Sequence, residues 1–280
     1  MDLRSRVEHA LGHPVTSTHP LSGGCVADVV QAELAGGGMV VVKHGGTTYE
    51  TEAVMLRALQ ERSGVPVPEV LHAEPDLLIL EHIKHDGQLN EAVERDAADL
   101  LAELHGVAGE HFGFSQDTLI GPLVQPCPPA VSWVEFFGEY RLRHFGSRAH
   151  AQGAITSACW QRLQKLVDRL GDFLDEPEHP SLIHGDIWSG NVLCLGGRVA
   201  AFIDPATHYA HPEVELAFTT LFSTFGRAFF ARYTQHRPIR PGFFEVRRGL
   251  YNLYPLLVHA ILFGGGYGKQ VEHGVEKLIR

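Results

Sequence analysis

An acid, an amide five residues later and a second acid further along are the residues whose types and spacing could do chemistry. Asp186 and Asn191 lie in the run His-Gly-Asp-Ile-Trp-Ser-Gly-Asn, residues 184–191, and Asp204 lies in Ile-Asp-Pro-Ala, residues 203–206. Asp186 can accept or orient the hydroxyl that attacks a phosphate. Asn191 and Asp204 supply the hard oxygen ligands that magnesium prefers. The pattern therefore predicts magnesium-dependent phosphoryl transfer, with Asp186 as the catalytic residue.

Apolar runs before both acids predict two short strands, at residues 181–183 and 199–203. Strands would hold Asp186 and Asp204 rigidly at one edge of the fold, as a reaction centre requires. The alternative is a plain His-Gly-Asp turn followed by a loop that begins at Asp-Pro.

A second group of residues, nearer the amino terminus, could bind nucleotide phosphates. Gly23 and Gly24 lie between two predicted strands, where glycines let backbone amides approach phosphates, although a tight hairpin explains them equally well. Lys43 ends an apolar strand, the position at which kinases carry the lysine that contacts the α- and β-phosphates. An acid at the start of the next predicted helix would hold this lysine, and we prefer Glu52 to Glu50 for that role.

Two further segments complete this nucleotide side. The run 77–83 predicts a strand and a linker in which the backbone of Glu81, His82 and Ile83 would hydrogen-bond adenine. Cys25 lies beside the glycine pair, where a thiol could be acidified by phosphate-binding amides and then oxidised. A redox switch at Cys25 is therefore one hypothesis, and a small loop-filling side chain is the alternative.

Hydrophobic periodicity divides the chain into a β-rich first part and a helical second part. The first part contains a short amphipathic helix near the start and a second helix at residues 50–62. It also contains five predicted strands, at residues 16–21, 29–34, 39–43, 70–73 and 77–80. The second part contains five predicted helices, at residues 90–105, 133–144, 158–174, 212–224 and 243–263. We predict an α+β fold with a small antiparallel β-rich lobe, residues 1–82, and a larger mainly helical lobe, residues 83–280. Nucleotide would bind in the cleft between them.

Composition narrows the class of protein. Lys and Arg number 23 against 33 Asp and Glu, a net charge of −10 that disfavours nucleic acid as a partner. The four cysteines form no CxxC pair and no zinc spacing. No run resembles a signal peptide or approaches the roughly 18 apolar residues of a membrane span. We therefore expect a soluble, cytoplasmic protein without a nucleic-acid or membrane partner, and the sequence leaves its oligomeric state open.

Together these motifs resemble those of the fructosamine kinase, or ketosamine-3-kinase, family, a branch of the protein-kinase-like phosphotransferases that includes aminoglycoside and choline kinases. The similarity extends over nearly the whole chain, and the Trp-Ser-Gly insert between Asp186 and Asn191 is its most specific part. The runs that carry it are residues 21–25, 42–43, 50–53, 81–82, 133–137, 184–191, 203–206, 211–217, 250–254 and 262–264.

The resemblance implies a bilobal protein-kinase-like fold and ATP and Mg²⁺ as cofactors. The implied reaction is phosphorylation of the 3-hydroxyl of a ketosamine, free or linked to protein, which makes the sugar adduct labile and serves deglycation repair. It implies that Asp186 is catalytic, that Asn191 and Asp204 ligate magnesium, and that Lys43, held by Glu52, contacts the phosphates. Which ketosamine is preferred, and whether ATP is preferred to GTP, the residues leave open.

Four residues are candidates for contact with the acceptor. Trp188 lies two residues from Asp186 and could stack on the sugar or amine, with core packing as the alternative. Glu213 and Glu215 could contact substrate or support the catalytic loop, and a solvated helix start is the alternative because acids favour a first helical turn. Trp133 is the fourth candidate and lies in a helical segment that resembles the family.

Two other functions stay open. A related kinase could act on an aminoglycoside or a choline-like alcohol; acids facing the acceptor would favour a polycation, whereas the Trp-Ser-Gly insert disfavours one. A nucleotide-binding pseudokinase is the less favoured alternative, because Lys43, Asp186, Asn191 and Asp204 are all present.

Overall fold

A five-stranded antiparallel sheet flanked by two helices forms the first part of the molecule. The computed structural model describes residues 1–21 and 28–279. The elements of this part are α1 (Leu3–Leu11), β1 (Val15–Pro20), β2 (Asp28–Leu34), β3 (Met39–His44), α2 (Tyr49–Arg62), β4 (Val70–Glu74) and β5 (Leu77–Glu81). The strand order in the sheet is β1-β2-β3-β5-β4.

Side-chain alternation along the strands assigns the two faces of this sheet to different helices. Val40 and Val42 of β3 pack with Val7 of α1, whereas Leu78 and Leu80 of β5 pack against α2. Because successive strand residues point to opposite faces, the residue after Val42 turns toward α2. That residue is the lysine that the sequence singled out.

Helices and three two-stranded antiparallel sheets make up most of the rest. The helices are α3 (Glu91–Leu104), α4 (Trp133–Phe137), α5 (His144–Ala151), α6 (Ser157–Val167), α7 (Glu213–Leu221), α8 (Arg227–His236), α9 (Arg248–Tyr251), α10 (Leu253–Phe263) and α11 (Tyr267–Ile279). The strands are β6 (Thr118–Ile120), β7 (Leu123–Gln125), β8 (Ser181–Ile183), β9 (Val192–Leu195), β10 (Arg198–Phe202) and β11 (His208–Ala210). Strand β6 pairs with β7, β8 with β11, and β9 with β10, all antiparallel. The predicted α+β architecture is confirmed, and the lobe boundary after residue 82 stays a prediction.

Two of the predicted helices contain π-helical turns. The segment after α4 is π-helical over Gly138–Arg143, and Phe243–Arg247 is π-helical before α9. Each wide turn contains a buried arginine, Arg141 or Arg247, that donates to backbone carbonyl oxygens. Local periodicity predicted straight helices here because it carries no information about these buried cations.

Four further helices differ from the predictions. The predicted helices at 158–174 and 212–224 end earlier, at Val167 and Leu221. Helices α8 and α11 were not predicted; a glycine run precedes α11, which buries Val271 and Val275 at a spacing of four. Within the described part of the chain, no helix is both long and apolar enough to cross a membrane.

Candidate active site

The loop between β8 and β9 carries the predicted catalytic residue and depends on a glycine. Gly185 has φ +89°, and a Cβ there would lie 2.3 Å from the carbonyl oxygen of Ala206. Only glycine permits both this backbone conformation and this approach. The Asp186 amide donates to Nδ1 of His184, which is buried. The His-Gly-Asp run is thus a tight turn held against the segment that follows Asp204.

Glu215, on α7, fixes this turn from beneath. Its carboxylate accepts hydrogen bonds from the Gly185 amide at 2.6 Å and the His184 amide at 3.3 Å. It also contacts Nε2 of His105 at 2.9 Å, and Nδ1 of His105 contacts the Tyr233 hydroxyl at 2.8 Å. Burial alone would raise the pKa of Glu215, but the hydrogen bond and charge of His105 lower it below its usual value. An ionised carboxylate therefore supports the catalytic loop.

Asn191 orients the Asp186 carboxylate. Its Nδ2 donates to Oδ2 of Asp186 at 2.9 Å and to the Asp186 carbonyl oxygen, also at 2.9 Å. With the amide nitrogen occupied in this way, Oδ1 is the side-chain atom of Asn191 that remains for a cation.

Lys43 joins the first part of the fold to the second acid. Its Nζ lies 2.6 Å from Oε1 of Glu52 on α2 and 2.5 Å from Oδ1 of Asp204. Burial alone would lower the pKa of Lys43, but the two carboxylates raise it above its usual value, so the ammonium stays charged. The structure therefore brings together Lys43, Glu52 and Asp204.

Asp204 lies close enough to Asp186 for the two carboxylates to repel each other. Asp204 is a non-glycine residue with φ +54°, a strained conformation of the kind that clusters at functional sites, and its side chain is 47% exposed. Burial and the Asp204 carboxylate raise the pKa of Asp186 to about 7. Repulsion between two acids, relieved by one lysine, favours a further cation at this position.

The donor set fits magnesium and phosphates. A half-exposed carboxylate and an amide oxygen are hard ligands, and proteins bind Mg²⁺ through one or two such groups together with phosphate oxygens. Lys43 lies on the Asp204 side of this set, where its ammonium can meet the phosphates.

Three of the four predicted acceptor contacts are buried in this structure, and their contact with an acceptor stays a prediction. Trp133 is fully buried in an aromatic cluster, and its Nε1 donates to the Tyr251 hydroxyl. Glu213 is buried and forms a bidentate ion pair with Arg247, in which both oxygen–nitrogen distances are 2.7 Å. Glu215 is buried beneath the catalytic loop, and its predicted alternative role in supporting that loop agrees with the hydrogen bonds above.

The fourth predicted acceptor contact, Trp188, lies at the surface. It is the first member of a row of aromatic rings, called the aromatic wall below. Its side chain is 36% exposed and lies over Gly190, where a Cβ would approach the indole to 2.4 Å. Its ring meets Phe222 at 6.5 Å between centroids, Phe222 meets His259 at 4.9 Å, and His259 meets Phe263 at 5.5 Å. The sequence analysis did not single out Phe222, His259 or Phe263. Phe222 directly follows α7 and the other two lie in α10, so only the folded chain brings them together.

The structure describes only some of the remaining residues that the sequence predicts to contact nucleotide. Glu81 ends β5, and its amide donates to the Glu69 carbonyl oxygen at 2.9 Å. His82 and Ile83 follow where the chain leaves the sheet. Gly23, Gly24 and Cys25 lie outside the described residues, so the phosphate-loop and redox hypotheses stay predictions.

Comparison with known proteins gives a consistent result. A profile of the fructosamine kinase family matches residues 2–280. A Synechocystis protein named as a probable ketoamine kinase is 35% identical over 237 residues, which are 83% of this chain and 79% of that protein. A chloroplastic protein-ribulosamine 3-kinase of Arabidopsis thaliana is 30% identical over 278 residues, 95% of this chain and 83% of that protein.

Solved structures agree. The crystal structure of a fructosamine-3-kinase candidate from Thermobifida fusca has a TM-score of 0.90 and 30% identity, covering 100% of this chain and 99% of that one. Choline kinase from Streptococcus pneumoniae shares the fold, with a TM-score of 0.67, 16% identity and coverage of 99% and 97%. The fold is therefore protein-kinase-like, and the chain belongs to the fructosamine kinase family.

Proposed function

We propose that this chain is an ATP-dependent kinase that phosphorylates the 3-hydroxyl of ketosamines, the sugar adducts of amines. Because phosphate leaves more readily than hydroxide, the product would be labile and would release the amine, a deglycation repair activity. The observation that carries the proposal is the close grouping of Lys43, Asp186, Asn191 and Asp204. Relatives named for ketoamine and ribulosamine phosphorylation support the choice of acceptor.

In the reaction, Asp186 accepts a hydrogen bond from the acceptor hydroxyl and takes its proton late, as a loose phosphoryl-transfer transition state requires. Asn191 holds Oδ2 of Asp186, which leaves Oδ1 to face the hydroxyl. Glu215 keeps the loop backbone fixed while this proton moves. Positioning of this kind removes much of the entropic barrier to attack.

On the nucleotide side, Lys43 contacts the α- and β-phosphates while Glu52 holds its ammonium in place. Asn191 and Asp204 would ligate magnesium, which would offset the negative charge of the phosphates. The backbone after Glu81 would receive adenine, and amides near Gly23 and Gly24 would cover the phosphates.

On the acceptor side, the aromatic wall of Trp188, Phe222, His259 and Phe263 would stack on the sugar adduct. Glu213 and Glu215 are both buried in polar pairs, so neither offers a charge to a polycationic antibiotic. This arrangement favours a ketosamine over an aminoglycoside.

We place the activity in the cytoplasm. The reaction consumes ATP, and Cys127, Cys159 and Cys194 carry free thiols, as expected in a reducing compartment.

ADP release with Mg²⁺ and ATP tests the proposal across ribulose-lysine, erythrulose-lysine, fructose-lysine, kanamycin, choline and no acceptor. We expect turnover on at least one ketosamine and none on kanamycin or choline. Asp186→Asn serves as the control that separates turnover from contaminating ATPase activity. Turnover on kanamycin or choline alone would contradict the ketosamine assignment and leave only the broader kinase function.

A further inference from the structure

The hairpin of β9 and β10 carries both predicted magnesium ligands at one end. Asn191 immediately precedes β9, and Asp204 lies two residues after β10. The Ile203 amide donates to the Asn191 carbonyl oxygen at 3.0 Å and closes this end. The opposite end is a tight turn in which Gly196 and Gly197 have φ +59° and +79°. The direction of the hairpin therefore sets where both ligands lie.

A two-stranded ribbon of this length is not stable by itself, so its direction depends on outside contacts. One comes from α3, where Asp96 Oδ2 accepts from the Val199 amide at 2.8 Å. A second comes from the carbonyl oxygen of Pro66, which accepts from the Phe202 amide at 2.8 Å.

The third contact comes from the segment that links β5 to α3. The Asp86 amide donates to the Cys194 carbonyl oxygen at 2.7 Å, and Asp86 Oδ2 accepts from the Gly196 amide at 2.9 Å. Its Oδ1 accepts from the Gln88 amide at 3.1 Å, which fixes the side chain in a local turn. Asp86 thus attaches the linker to the tip of the hairpin through main chain and side chain together.

This attachment has a consequence for nucleotide binding. The same linker begins at Glu81, His82 and Ile83, where adenine would bind, whereas the hairpin ends at the residues that would hold the phosphate-bound cation. We infer that Asp86 is a positioning residue that sets the adenine-binding linker and the magnesium-binding hairpin in register, so that one bound Mg²⁺–ATP reaches both. The inference rests on the proposed function for its choice of nucleotide and goes beyond it in assigning Asp86.

Calorimetric titration of Mg²⁺ with a non-hydrolysable ATP analogue tests this role without any acceptor. We expect Asp86→Ala to weaken binding on the order of tenfold, the lower range for groups that orient metal ligands from outside the coordination shell. Asp86→Asn keeps one acceptor oxygen and should lose less. Hydrogen exchange should show faster exchange of the Gly196 amide in Asp86→Ala.

Asp96→Ala is the matched control. It removes a carboxylate on α3 that accepts a hydrogen bond from the same hairpin, and it leaves the linker unchanged. Because Asp96 orients the hairpin but does not attach it to the linker, we expect Asp96→Ala to lower the melting temperature and to weaken nucleotide binding less than Asp86→Ala does. Equal affinity losses in both variants, or unchanged affinity in Asp86→Ala, would overturn the inference. A failure to phosphorylate any ketosamine would contradict the proposed function and leave this binding result unaffected.

Discussion

At the residue scale, the surroundings of Asp186 explain how an ordinary carboxyl can serve as a base. Asn191 holds one oxygen, and burial with the nearby Asp204 charge raises the pKa to about 7. We expect Asp186→Asn to lower kcat about 10³-fold, the middle of the range for a general base, while calorimetry shows nucleotide binding retained. If Asp186→Asn keeps more than about a tenth of the wild-type kcat, Asp186 is not the base.

The two tryptophans that the sequence offered as acceptor contacts allow a paired test of packing against substrate binding. Trp133→Ala should lower the free energy of unfolding by about 3–5 kcal/mol, because it empties a fully buried site. Trp188→Ala should change that free energy by less than about 1 kcal/mol but raise the KM for the acceptor about tenfold through lost stacking. Chemical denaturation and steady-state kinetics separate the two effects. The acceptor-wall assignment fails if the KM of Trp188→Ala is unchanged.

These residues also show what a sequence can and cannot reveal. The spacing of Asp186, Asn191 and Asp204 is local, so it indicated their grouping before the fold was known. The burial of Trp133 and Glu213 depends on Tyr251 and Arg247, which are distant in the chain. A tryptophan or an acid near a helix start looks the same in sequence whether it faces solvent or a distant partner.

At the element scale, the turn after β8 depends on Gly185. Gly185→Ala would place a Cβ 2.3 Å from the Ala206 carbonyl oxygen at φ +89°, so the loop must shift and carry Asp186 with it. We expect a loss of more than about 1 kcal/mol of stability and a fall in kcat. Gly249→Ala is the control, since nothing lies within 4 Å of that position in α9 and the change should be neutral or stabilising. Unchanged kcat in Gly185→Ala would contradict the close approach.

Elements differed in how well the sequence predicted them. Strands β3 and β5 are short apolar runs and helix α3 follows a helical period, and their predicted bounds differ from the observed ones by one residue at most. The π-helical turns could not be predicted because they accommodate Arg141 and Arg247, whose partners lie elsewhere. Helix α11 was missed because the preceding glycines obscured a regular spacing of buried residues.

At the scale of the whole molecule, buried neutral histidines make stability depend on pH. Burial lowers the pKa of His184 to about 4 and that of His211 to about 3, with Arg247 and Arg240 adding to the effect at His211. The unfolded chain therefore binds protons from about pH 6.5 downward while the native state does not, so stability falls as the pH falls. Each such group contributes up to about 1.4 kcal/mol per pH unit. Asp186 has the opposite effect on stability. Because its pKa is raised in the native state, its contribution to the free energy of unfolding increases as the pH falls.

Urea denaturation at several pH values between 7.5 and 4.5 measures this effect. We expect the free energy of unfolding to decrease as the pH falls. In His211→Asn this free energy should decrease less steeply with pH. Asparagine removes the titrating ring but can still accept the hydrogen bond that the Glu213 amide donates to His211. An unchanged slope in His211→Asn would show that His211 is not among the responsible groups. The sequence contains 18 histidines, and only the packing decides which of them are buried.

The reaction product tests the proposed function most directly. Wild-type protein, Mg²⁺, ATP and ribulose-lysine or fructose-lysine would be incubated, and the product examined by phosphorus–proton correlation NMR. We expect a phosphate coupled to the proton on C3 of the sugar, and no such product with Asp186→Asn. A phosphate at another carbon would contradict the 3-hydroxyl assignment, and ADP without any phosphorylated ketosamine would contradict the proposed function itself.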